Sequence, residues 1–110
     1  MDYQFEKTWL ETVRKIQERF DMGTPDITAI IFVVGLQELQ RFDMTFKKDQ
    51  KVDIMHVGIC SLLMPFGYFE FIGRDEEGWP HFERKDDLPE LSPADQDRLM
   101  REAIIRYFEG

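Results

Sequence analysis

Apolar residues recur along the first twenty positions at steps of four, four, three and four: Phe5, Trp9, Val13, Ile16 and Phe20. That period puts them on one face of a helix and predicts a helix from Tyr3 to Phe20. The other face carries Glu6, Lys7, Glu11, Arg14, Lys15 and Glu18, with Glu11 and Lys15 spaced as a favourable i,i+4 pair. Asp21-Met22-Gly23 ends the helix, with Gly23 suited to a left-handed closing turn.

Thr24-Pro25-Asp26 opens a second helix, Ile27 to Phe42, with Thr24 as its cap and Pro25 in its first position. Its start is apolar nearly all round. The run Ile30-Ile31-Phe32-Val33-Val34 is also strand chemistry, which periodicity does not separate from a buried helix. The proline cap and the continuation Leu36-Gln37-Glu38-Leu39-Gln40 favour the helix. Asp43 to Phe46 is a connection, and a third helix runs from Lys48 to Met64, stopped by Pro65 and Gly67. Gly35 and Gly58 fall inside these two helices, where glycine costs about 1 kcal/mol relative to alanine. Close backbone approach would compensate, so the second and third helices are expected to pack tightly near those glycines.

The period then changes to two. Tyr68 to Gly73 and Trp79 to Lys85 alternate around Arg74-Asp75-Glu76-Glu77-Gly78, which predicts a β-hairpin with Gly78 at positive φ. Two adjacent registers fit, and both keep the same faces. One face holds Phe69, Phe71, Pro80 and Phe82 and is expected on the core. The other holds Tyr68, Glu70, Ile72, Trp79, His81 and Glu83. Pro80 lacks a backbone donor, so its strand is expected at an edge. Asp86 to Leu91 is an acidic linker, and Ser92-Pro93 caps and opens a last helix. Leu99, Met100, Ala103, Ile104, Tyr107 and Phe108 are its apolar stripe. The fold class is therefore α+β, mainly α: four helices with one antiparallel β-hairpin between the third and fourth helices. The amphipathic first and fourth helices are expected to sandwich the central pair. The 110 residues are read as one compact domain, 1–110.

Charge narrows the function classes. The chain carries 22 acids against 14 Lys and Arg, a net charge of −8. From Pro65 to Leu91 there are eight acids and three bases, so the hairpin region holds −5 of that total. No basic run exceeds Lys47-Lys48, which argues against nucleic acid and anionic membrane surfaces as partners. The longest apolar run, Ala29 to Leu36, is far short of the roughly twenty residues a membrane span needs. A single cysteine, Cys60, forbids an intramolecular disulfide. Without a signal-like N-terminus, the expectation is a soluble, cytoplasmic protein.

Three constellations carry possible chemistry. On the third helix Asp49, Asp53, His56 and Cys60 fall in one narrow arc, with side chains of metal-ligand type. Ordinary packing weighs more heavily there, because His56 is within a turn of Asp53, and Cys60 behaves as a small hydrophobe. His81 would join that arc only if the hairpin folds over it. Cys60 with His56 as base is the second arrangement, set in an apolar stretch that raises a thiol pKa. The third is the hairpin face, where Glu70, His81 and Glu83 stand with Tyr68, Ile72 and Trp79. No standard catalytic or nucleotide motif is present, and no cofactor is expected. The leading expectation is a non-catalytic interaction or accessory protein. It would act through the acidic, aromatic hairpin face on a protein partner, or on itself as a homodimer. The alternative is a small metal-dependent or acid–base enzyme using His56, Asp53 and Cys60, or His81, Glu70 and Glu83.

Overall fold

A computed structural model describes residues 2–40, 45–85 and 90–109. The expected architecture is present: helices α1 (Tyr3–Phe20), α2 (Ile27–Leu39), α3 (Lys48–Leu63) and α4 (Pro93–Glu109), with strands β1 (Phe69–Arg74) and β2 (Pro80–Arg84) between α3 and α4. The apolar run in α2 is helical. A single 3-10 turn, Met64–Phe66, follows α3 and ends at Gly67 with φ of 87°.

Several boundaries differ from the sequence reading, one through a side-chain cap and two through left-handed backbone. Asp26, not Thr24, caps α2, because its carboxylate accepts from the Ala29 amide at 2.8 Å. Pro25 therefore precedes the cap rather than filling the first helical position. The left-handed residue that closes α1 is Asp21 (φ 47°), not Gly23. Helix α2 stops at Leu39, because Gln40 turns left-handed (φ 62°) and its amide returns to the Leu36 and Gln37 carbonyls. Phe42, Asp43 and Met44 lie outside the described residues, as does the linker segment 86–89. Ser92 caps α4 as expected, accepting from the Asp95 amide at 3.2 Å.

Helices α2 and α3 form the spine. A Cβ built on Gly35 would overlap the Ile54 carbonyl, and one on Gly58 would overlap the Ile31 carbonyl. The two glycines thus let the backbones touch, which offsets their poor helix propensity. Helix α4 contacts α1, α2 and α3, so the first and fourth helices lie against each other instead of enclosing the spine from opposite sides. Ile16, Ile30, Val34, Leu62 and Ile104 meet in the main core. Arg98 stacks over Phe5 at 4.1 Å and Arg101 over Trp9 at 4.8 Å, closing the α1–α4 seam with cation–π contacts. Tyr107 ties α4 to α2: its hydroxyl donates to Glu38 at 2.5 Å and accepts from Gln37 at 3.1 Å.

The hairpin pairs Phe69 with Arg84, Glu70 with Glu83 and Phe71 with Phe82. It then slips by one residue at a bulge, so Gly73 faces His81 and Arg74 faces Pro80. Strict alternation missed this. Ile72 is the extra residue, and Gly73 accommodates the kink at φ 134°. The hairpin packs along α3, which sets up the site.

Candidate functional site

Helix α3 shows α2 its small and apolar residues and turns Asp53 and His56 outward. The hairpin lies alongside that outer face. Between them is an open cleft of about 400 Å³. From α3 it is lined by Gln50, Asp53, His56 and Val57, and from the hairpin by Asp75, Glu77, Trp79, Pro80, His81 and Phe82. Both histidines of the chain therefore line one cleft, although 25 positions separate them in sequence.

Asp75 organises the hairpin side. One carboxylate oxygen accepts from the Glu77 and Trp79 amides at 3.0 and 2.9 Å, and the other meets His81 Nε2 at 2.9 Å. The His81 contact above all, with help from the Trp79 and Glu77 amides, holds the Asp75 carboxyl below its usual pKa. The turn is closed by backbone bonds from the Asp75 amide to the Trp79 carbonyl and from the Gly78 amide to the Asp75 carbonyl, both 3.0 Å. Arg74 then anchors the turn to the spine: its guanidinium donates to the Gly78 carbonyl at 2.9 Å and to the Glu38 carbonyl, in the last turn of α2, at 2.8 Å. A cation at a helix C-terminus is favourable by charge as well.

The sequence candidates divide among different environments. Trp79 and His81 reach the cleft, and so do Asp53 and His56 from the α3 arc. Tyr68 and Trp79 do not form an outward apolar patch with Ile72. Tyr68 packs on the main core, and Trp79 on a second cluster of Leu39, Phe46 and Ile54. Ile72 is 60% exposed at the bulge and Phe71 45% exposed beside Phe82, although Phe71 was expected on the core face. Glu70 and Glu83 oppose each other across the strands, and Lys85 offsets that repulsion with an ion pair to Glu70 at 3.3 Å. His81 meets Asp75 rather than either glutamate.

On α3 the arc separates by depth. Asp49, Asp53 and His56 are exposed, whereas Cys60 is fully buried. Its sulfur lies 3.5 Å from His56 Nε2. Burial pushes the thiol up to about 11, so it stays protonated at neutral pH and is a poor nucleophile. Among the described residues no group of three or more His, Cys, Asp or Glu side chains is arranged to hold a metal ion.

Sequence reasoning missed Asp75, Glu77 and Arg74. A signal existed for the first: an aspartate opening a turn that ends in glycine is placed to bond the amides ahead of it. Nothing local marked Arg74, whose partner lies 36 residues away. Among the described residues no helix is long and apolar enough to cross a membrane. No protein-family model, curated protein or solved structure matches the chain.

Proposed function

We propose that this protein is a non-catalytic interaction protein that holds a protein partner in the cleft between α3 and the hairpin, and that it works in the cytoplasm. The observation that supports this reading is the cleft itself, where apolar Val57, Trp79, Pro80 and Phe82 share an opening of about 400 Å³ with carboxylates and imidazoles from two separate elements. Mixed apolar and polar lining on a packed scaffold is the usual make-up of a binding site. The enzymatic alternative ranks below it, because Cys60 is buried and His81 is tied into the turn by Asp75. A single cysteine, kept as a buried thiol, accords with a reducing compartment.

The test is a titration of isotope-labelled protein with a panel of short peptides of defined charge and common metabolites, followed by NMR. Binders are expected to shift the signals of Val57, Trp79 and Phe82 first. Shifts centred elsewhere, or turnover of any added metabolite, would overturn the reading.

Self-association has separate support. Ala29, Phe32, Val52 and Met55 line an apolar groove with Asp26 and the pair Lys48 and Lys51 on its rim, and Val52 is 64% exposed. A two-fold interface uses the same patch on both copies, so two such grooves would bring apolar surface and charges of both signs together. Sedimentation of the parent as a dimer and of Val52→Glu as a monomer would bear this out; a monomeric parent would end it.

A further inference from the structure

The cleft meets the hairpin along an edge. Side chains of a strand alternate between its two faces, so an opening on one face takes every second residue. This opening takes four in succession, Trp79 and then the first three residues of β2, Pro80, His81 and Phe82. Among the described residues β1 contributes nothing to the lining, and no third strand joins the sheet. The ladder fixes which backbone groups of β2 point that way. The Lys85 amide donates to the Tyr68 carbonyl and the Asp75 amide to the Trp79 carbonyl, both at 3.0 Å, so Tyr68–Lys85 and Asp75–Trp79 are hydrogen-bonded pairs. Such pairs alternate with non-bonded ones along an antiparallel ladder. In the observed register the next bonded pairs are Glu70–Glu83 and Gly73–His81, and the bulge at Ile72 takes up the offset between them. Phe71–Phe82 and Arg74–Pro80 are then the non-bonded pairs, whose backbone groups turn away from the ladder. Phe82 therefore aims its amide and its carbonyl outward from β2, on the cleft side, and Pro80 aims a carbonyl. Proline has no amide to leave unpaired there, which suits it to an edge.

We infer that the cleft takes an extended segment of the partner protein as a third, antiparallel strand on the outer edge of β2, an inference that rests on the binding role proposed above. Outward amides and carbonyls of an edge strand are a template for another strand, and main-chain pairing of this kind is a recurring mode of peptide recognition. Antiparallel pairing is already used in this sheet and is the more stable per residue. One residue of the segment exchanges both bonds with Phe82, and the residue two positions on donates to the Pro80 carbonyl. The neighbouring rings choose the side chain. Phe82 meets Phe71 edge to face across the strands, with ring centroids 5.8 Å apart. A large apolar side chain opposite Phe82 continues that row on the same face, and Val57 stands on the α3 wall of the same opening. The occupant is a short extended segment with an apolar residue at its centre.

The test uses the full chain and a capped pentapeptide, Thr-Thr-Phe-Thr-Thr, whose residues favour extension. Two N-methylated forms accompany it. One is methylated at the third and fifth nitrogens, which donate to the Phe82 and Pro80 carbonyls when the central ring lies opposite Phe82. The other is methylated at the second and fourth, which point away from β2. The readouts are the signals of Val57 and Trp79 and the hydrogen exchange of the Phe82 amide. The unmethylated peptide is expected to shift those signals saturably and to slow exchange at Phe82. The first methylated form is expected to bind about thirty-fold more weakly, two hydrogen bonds at about five-fold each, and the second to keep its binding. Equal binding of the two methylated forms within the cleft, or unchanged exchange at Phe82, would overturn the added strand while leaving the binding role standing. Loss by the second form rather than the first would overturn the antiparallel pairing. Shifts away from the cleft, or none at all with the unmethylated peptide, would overturn the inference, and shifts away would overturn the binding role as well.

Discussion

The two sides of α3 show how one helix serves two purposes. Toward α2 it presents Gly58 and buries Ile54 and Leu62, and the backbones touch at the Ile31 carbonyl. Toward the hairpin it presents Asp53 and His56 across an open cleft. At Gly58 the first side leaves no room for an added carbon. The second lines an opening with Asp53 and His56, polar side chains that stay exposed. The rigid seam is what allows the cleft to hold its shape, since the hairpin is a two-stranded sheet that depends on the helices beneath it.

The largest expected effect breaks the seam. Gly58→Ala places a methyl against the Ile31 carbonyl oxygen, and Gly35→Ala places one against that of Ile54. Both obstacles are backbone, so the helices must separate. Each variant is expected to lose about 3 kcal/mol in urea unfolding, the upper part of the overpacking range. This outweighs the gain of about 1 kcal/mol in helix propensity. Gly23→Ala, with open space around the new atom, is expected to stay within about 0.5 kcal/mol. A Gly58 variant as stable as the parent would mean that the seam is not closely packed.

Next in size is the polar tie that joins α4 to the spine. Tyr107→Phe removes the donor to Glu38 and the acceptor for Gln37 in a half-buried setting. A hydrogen bond to a charged group contributes about 2 kcal/mol, and that loss is expected in the same unfolding measurement. Little or no loss would show that water replaces the hydroxyl. The seam and this tie differ in how plainly they were written in the chain. Two glycines in apolar helices point to close approach, because only that offsets their cost. Gln37 and Glu38 meet Tyr107 across about 70 positions, and no local pattern names such a partner.

The same division explains the cleft. Periodicity placed α1, the hairpin and α4, since burial of one face dictates the spacing of apolar residues. It failed at Ile72, where one extra residue breaks the alternation and turns Gly73 toward His81. It also assigned Trp79 to an outward face, whereas its ring sits on Leu39, Phe46 and Ile54. How the hairpin leans on α3 is decided by tertiary packing and by the reach of Arg74 to the Glu38 carbonyl. His56 and His81 were both candidates from sequence, but their meeting in one cleft follows from that lean.

Asp75→Ala tests the cleft wall while sparing the seam. The variant loses the bonds to the Glu77 and Trp79 amides and the contact to His81. The Trp79 amide is expected to lose protection from hydrogen exchange, while amides in the α2–α3 seam keep theirs. In the parent the sign with pH follows from the lowered pKa of Asp75. Its contribution is complete above the ordinary carboxylate value, near 4, and is lost as pH falls through the lower value of the folded state. The turn is therefore expected to loosen below about pH 4, and the variant to lack that step. An acid transition common to parent and variant would place it in other carboxylates.

The smallest expected effect returns to the seam from the polar side. Ser61 stands three residues after Gly58, so it shares the helix flank on which α2 packs. It is 5% exposed, and among the described residues its hydroxyl has no hydrogen-bond partner. A buried hydroxyl in that state costs free energy, and alanine is the better helix former. Ser61→Ala is therefore expected to stabilise the protein by about 1 kcal/mol, while Ser61→Leu, which adds volume beside the contact, is expected to destabilise it by about 2 kcal/mol. If the pair behaves so, the seam requires a small residue at this position and makes no use of the oxygen. Loss of stability in Ser61→Ala would instead mean that the hydroxyl is satisfied, and that polarity on α3 has a structural use on the α2 side too.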